Sequence, residues 1–219
     1  HTTCIAFGFY YVTNNEKFDN LILMDGDGED RPEEIKMLID KSLSNQGKST
    51  VAKRVKRSEG MLFKIFYNLH KLITLIFTGH KINFGNFTLL SKEDVLIMSK
   101  KTNLWNSYSG TFKKYIKNYK EIDSIRGNRY FGPSKMSLFK LLLHSFSIIA
   151  SFKYNVYLRS TFMIIILAYL ITYFGNTAIL LQISIVIFNL IIFLISQKKL
   201  EKNLSKTQLN LANVEDIAH

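Results

Sequence analysis

Cysteine, proline and tryptophan are nearly missing from this chain: its 219 residues include one Cys, two Pro and one Trp. The single thiol, Cys4, excludes an internal disulfide and points to a reducing compartment. Acids are also scarce. Seventeen Asp and Glu stand against 29 Lys and Arg, giving a formal charge of +12 and a pI of about 9.6. Such an excess must face something acidic: nucleic acid, lipid phosphate or a phosphorylated substrate. No recognition motif accompanies the charge, which argues against a nucleic-acid partner. No charged segment followed by a short apolar core precedes the first elements, so no signal peptide is found. The chain opens on His1 rather than Met, and the expectation is that the N-terminal part of a longer protein is missing. None of the five histidines pairs at metal-ligand spacing, and no Ser/His/Asp or Cys/His arrangement occurs. Internal repeats and low-complexity segments are absent too.

Apolar residues are abundant: 47% of the chain, with mean hydropathy +0.05, unevenly spread. The length suits one domain plus an appendage. Residues 156–174, "VYLRSTFMIIILAYLITYF", and 177–195, "TAILLQISIVIFNLIIFLI", are two apolar runs of 19 residues around Gly175-Asn176. Crossing a bilayer core takes about 20 residues. A transmembrane hairpin follows, with Arg159 near enough to one end to snorkel. Its uncharged two-residue loop puts both outer ends on one side. Lys153 and Arg159 before it, and Lys198, Lys199, Lys202 and Lys206 after it, place that side in the cytoplasm. Upstream, Ser137, Lys140, His144 and Ser147 form one polar stripe on an apolar helix suited to the membrane interface. Lys64, Asn68 and Lys71 mark a second such stripe, for which core packing is an equal reading.

Acids gather where the apolar run "NLILM" ends, in "DGDGED". Leu21–Met24 reads as a buried strand, and Pro32 opens a helix with Glu33 and Glu34 in its first turn. Ile35, Leu38, Ile39 and Leu43 make that helix's core face. The acidic loop thus lies at the carboxyl end of a strand, where ligands bind in open α/β sheets. Asp25, Asp27 and Glu29 alternate, so in an extended loop three carboxylates can converge on one hard cation. The rival is a solvated turn that caps the helix. An EF-hand fails, because the twelfth position counted from Asp25 is Lys36.

Three segments together resemble the inverting family 2 glycosyltransferases of the polyprenyl-phosphate type, which include dolichol-phosphate mannose synthase. "LILMDGDGEDRPEEI" resembles the metal-binding strand and loop. "AKRVKRSEG" resembles the loop whose arginines face donor phosphates. "RYFGPSKMSLFKLL" resembles the Arg-x-x-Gly-x-Ser-Lys motif that leads into interfacial helices. The resemblance implies an α/β fold: the C-terminal part of a GT-A-type nucleotide-sugar-binding domain, then interfacial helices and a two-helix transmembrane hairpin. The implied organisation is a partial catalytic domain over 1–134 and an amphipathic interfacial helix over 135–155. The hairpin follows over 156–196, then a polar cytoplasmic tail over 197–219. It implies Mg²⁺ or Mn²⁺ on Asp25, Asp27 and Glu29, with Glu29 standing where many relatives have glutamine. Asp25, Arg54, Arg57, Ser134 and Lys135 would bind phosphate or cofactor, and Asp27 and Arg129 would be catalytic. Arg126 reads as a solvated surface charge, and Trp105 as a packing residue.

The implied partners are a nucleotide sugar donor, a polyprenyl phosphate acceptor and the lipid bilayer. A homo-oligomer is left open, and no nucleic acid is expected. The implied location is the cell membrane, multi-pass, with a cytoplasmic catalytic domain serving cell-wall biogenesis. One departure bears on the acceptor: in "NFGNFTLLS" the family usually has an acid where Asn86 stands. A phosphate monoester, largely dianionic at neutral pH, needs no base to attack an anomeric carbon, whereas a sugar hydroxyl does. Asn86 therefore fits a lipid-phosphate acceptor. The alternatives are transfer to a hydroxyl in polysaccharide synthesis, whose processive enzymes usually carry a Gln-x-x-Arg-Trp motif lacking here, and a non-catalytic membrane scaffold with a decayed site.

Overall fold

Residues 2–56, 61–130, 132 and 137–197 are described by the computed structural model. Strands β1 (Asn20–Leu23), β2 (Thr50–Lys56), β3 (Phe84–Ser91) and β4 (Lys120–Ile125) form one mixed sheet, ordered β1-β3-β2-β4. β3 runs antiparallel to β1 and β2, while β4 is parallel to β2. Neighbouring strand residues point to opposite faces, and the two cores divide accordingly. Val51 and Leu90 join one core, with Ile5 and Phe9 of helix α1 (Thr2–Asn15). Val95 and Met98 of α4 (Lys92–Ser99) and Phe112 of α5 (Tyr108–Tyr115) complete it. Ala52, Phe87, Leu89 and Ile122 join the other, closed by Leu38 of α2 (Ile35–Leu43). Trp105 is buried in the first core, as its packing role requires.

Two local expectations shift. The apolar run at Leu21 predicts a buried strand, but β1 lies at a sheet edge and its side chains are half-buried at most. Pro32–Glu34 forms a 3₁₀ turn that leads into α2 rather than its first α-helical turn. On α2, Leu38 is fully buried, while Leu43 is 71% exposed and Ser42 takes an inward place. The face turns away at its end because Asn45, Gln46 and Gly47 reverse the chain, the last two with positive φ.

The remaining helices are α3 (Met61–Thr78), α6 (Leu138–Ala150), α7 (Lys153–Tyr169), α8 (Ile171–Phe174) and α9 (Asn176–Ser196). Ile149, Ala150, Val156 and Ile192 are buried between α6, α7 and α9, with Ile73 and Phe77 of α3 against them. α6 is shorter than the expected 135–155. Ser137 caps its start by accepting from the Lys140 N–H, and the chain turns at Ser151. Its exposed face carries Phe139, Leu142 and Leu143. α9 alone among the described helices is long and apolar enough to cross a membrane. Only Ala178 and Ile192 of it are buried, so it is no core helix. The first leg of the expected hairpin is instead split at Leu170 into α7 and α8, and Gly175 (φ +52°) turns the chain into α9. The Arg159 guanidinium donates to the Ile76 carbonyl at 3.2 Å, satisfying the end of α3. The polar tail beyond Gln197 lies outside the described residues.

Candidate functional site

The acidic loop leaves β1 at Met24 and is clasped by the segment after β4. The Gly127 N–H donates to the Glu29 carbonyl at 2.9 Å, and the Tyr130 N–H to the Asp27 carbonyl at 3.0 Å. Glycines make this approach possible. A Cβ on Gly127 would sit 2.5 Å from the Gly28 carbonyl oxygen, and one on Gly28 (φ +89°) 2.8 Å from the Tyr130 ring. Residues far apart in sequence are thereby held at one place.

Their side chains form a charge network. Arg129 donates through Nε to Glu29 Oε1 at 2.8 Å, and its Nη2 lies 3.2 Å from Asp27 Oδ2. Arg126 pairs with Glu29 Oε2. Arg54, on β2, donates through Nη2 to Asp30 Oδ1 at 3.2 Å and lies 3.8 Å from Asp25 Oδ2. Gly85 lets that guanidinium lie flat across β3, since a Cβ there would meet its Cζ at 3.1 Å. Asn86 Nδ2 donates to Asp25 Oδ1 at 3.1 Å. Asp30 is the buried member, accepting the Asp25 N–H at 2.9 Å. Burial raises its pKa, opposed by that N–H and by Arg54. The described network opposes four carboxylates to three guanidiniums, an excess of one formal negative charge.

Sequence reasoning places Asp25, Asp27, Glu29, Arg54 and Arg129 in one site, and the structure brings these five together. Arg57, Ser134 and Lys135 lie outside the described residues. Among the described residues no three His, Cys, Asp or Glu side chains are gathered as metal ligands. Glu29 faces two guanidiniums, because the clasp sets Arg126 and Arg129 beside it. Arg126 is accordingly no solvated surface charge. Burial, and then the Arg129 charge, lowers its pKa.

Asp30, Arg126, Asn86 and His144 belong to the site without having been assigned to it. The signal for Asp30 was its place as the fourth acid of the loop; Arg126 and His144 carried none. His144 on α6 is near enough for the Asp25 charge to act on it, opposing the burial that lowers its pKa. Oxygen donors at Asp25 and Asp27 suit a hard divalent ion that completes its shell with phosphate and water, since Mg²⁺ needs only one or two carboxylates. Compared with known proteins, the chain matches no family model and no curated protein.

Proposed function

We propose that this chain is part of a membrane-bound glycosyltransferase that moves a sugar from a nucleotide sugar to a polyprenyl phosphate with inversion. The observation that supports the reading is the meeting of Asp25 and Asp27 with Arg54 and Arg129 at a strand end. A nucleoside diphosphate with its divalent ion is charge-complementary to that set. Asp25 and Asp27 would hold Mg²⁺ or Mn²⁺, while Arg54 and Arg129 exchange their carboxylate partners for diphosphate oxygens. The bound ion supplies Lewis-acid stabilisation of the departing diphosphate. An oxygen of the acceptor phosphate attacks the anomeric carbon as the bond to the donor diphosphate breaks on the opposite face. Asn86 serves as no base; it donates to Asp25 and fixes that carboxylate's orientation. The phosphate dianion needs no base.

α9 would cross the bilayer with α7 and α8 forming the other leg of a hairpin, and the exposed apolar sides of α3 and α6 would rest in the interface. Both hairpin ends, and the sheet domain with them, would be cytoplasmic. In the full-length protein, Asp27→Asn is expected to lower sugar transfer onto polyprenyl phosphate by roughly 10²-fold or more, while membrane insertion persists. Undiminished transfer by that variant in metal-replete buffer removes the metal role. The scaffold reading has one observation in its favour: each loop carboxylate already has an internal partner. Nucleotide-sugar binding that requires Mn²⁺ separates the two, since a scaffold shows none.

A further inference from the structure

A second polar centre lies where α5, α6, α7 and α9 meet, and it shares no residue with the acidic loop. A cavity of about 150 Å³ there is lined by Lys114, Tyr115, Lys153 and Tyr154, with Asn103 and Asn106 in its wall. Lys114 Nζ donates to the Ser151 carbonyl at 2.8 Å, and Asn103 Nδ2 donates to the same oxygen at 2.9 Å. The Tyr115 hydroxyl donates to Asn103 Oδ1 at 2.9 Å. These bonds fix one ammonium at the wall. Among the described residues no acid lines the cavity, and neither lysine pairs with a carboxylate. Burial, and then the Lys153 charge, lowers the Lys114 pKa, as expected of cations gathered without a counter-ion.

Asn106 also lines the cavity and is 4% exposed, with its Oδ1 enclosed in the wall. A fitting ligand is therefore an anion that meets the two lysines. The cavity's position narrows the source. Its rim includes Lys153, the first residue of α7, and Ser196, the last of α9, so it sits at the ends of the apolar helices. Tyr154, 70% exposed beside Lys153, is the kind of residue found at head-group level.

We propose that this cavity binds a phosphate ester, supplied by the head group of an anionic phospholipid. The lipid source rests on the membrane reading above; the phosphate chemistry does not. The test holds the full chain in neutral detergent with phosphatidylglycerol or phosphatidylcholine and counts retained lipid by native mass spectrometry. Titration calorimetry with glycerol 3-phosphate runs alongside. Saturable retention of phosphatidylglycerol over phosphatidylcholine is expected, weakened about fivefold by Lys153→Gln and by Lys114→Gln. Lys153→Gln, at the start of α7, keeps the test valid if Lys114→Gln fails to fold. Lysine-dependent binding of glycerol 3-phosphate with no preference between the lipids retains the phosphate site and moves its source to solution. Equal lipid retention with no glycerol 3-phosphate binding, or binding indifferent to both substitutions, overturns the proposal. Alkaline carbonate extraction from phosphatidylcholine vesicles reads the membrane assignment separately, because release there leaves the glycerol 3-phosphate result intact.

Discussion

The helical region leaves more of its large apolar side chains exposed than the sheet region does. Around the sheet, Phe9, Leu38 and Phe112 are enclosed and the charged side chains lie outside or in paired networks. Among α6, α7 and α9, Ser145, Ser151, Ser160, Ala150 and Ala178 are buried, while Leu180, Leu190 and Leu194 are 64%, 57% and 63% exposed. Water drives apolar groups inward in the first case. In the second, small residues are among those packed between the helices and many large apolar ones face outward, as the proposed membrane setting requires. On that proposal the same chain carries two solvation rules, and the acidic loop would lie where they meet.

The contrast is broken most severely from within the sheet region. Phe112→Ala is expected to destabilise it by about 3–5 kcal/mol in denaturant unfolding. Leu190→Ala, in the exposed face of α9, should stay within about 0.5 kcal/mol. Comparable losses from the two would erase the distinction. A charge tests the other rule: Ile187→Arg, midway along α9, should oppose membrane insertion by about 2.5–3.5 kcal/mol, read as the extractable fraction in alkaline carbonate. Retained insertion would show that α9 is not the span. At the meeting point, Gly127→Ala drives a Cβ against the Gly28 carbonyl, a backbone atom that cannot swing aside. About 1–3 kcal/mol of stability should be lost, together with binding of nucleotide sugar.

The smallest effect is that of pH. Burial lowers the pKa values of His144 and His80, the latter further depressed by Lys117, Lys113 and Arg159. The unfolded chain therefore takes up protons first as pH falls below about 6.5. Their contribution is complete above that value and is lost as pH drops through the lower folded values. A melting temperature that declines between pH 7.5 and 5.5, and declines less in His144→Gln, is the expected result. An unchanged slope in that variant would separate His144 from the junction.

Several features were readable before any coordinates. The alternating acids, the strand before them and the Pro32 turn after them located the loop, because strand and turn propensities are local. The polar stripe of α6 and the continuous apolar run of α9 are likewise local features of the sequence. Arg126 reads as a surface charge in the sequence because its partner is far along the chain: Glu29 reaches it only through the clasp. Leu43 was assigned inward because periodicity assumes that a helix keeps facing its sheet to the end, which the turn at Gly47 prevents.

By itself the amino-acid order determined that this protein has an acidic strand-end loop, a basic surplus and two long apolar runs, since each depends on neighbours along the chain. Tertiary structure alone decided which basic group meets which acid, and that Glu29 is held by two arginines. Such pairings depend on distances between segments about a hundred residues apart, set by backbone hydrogen bonds and by the room two glycines leave.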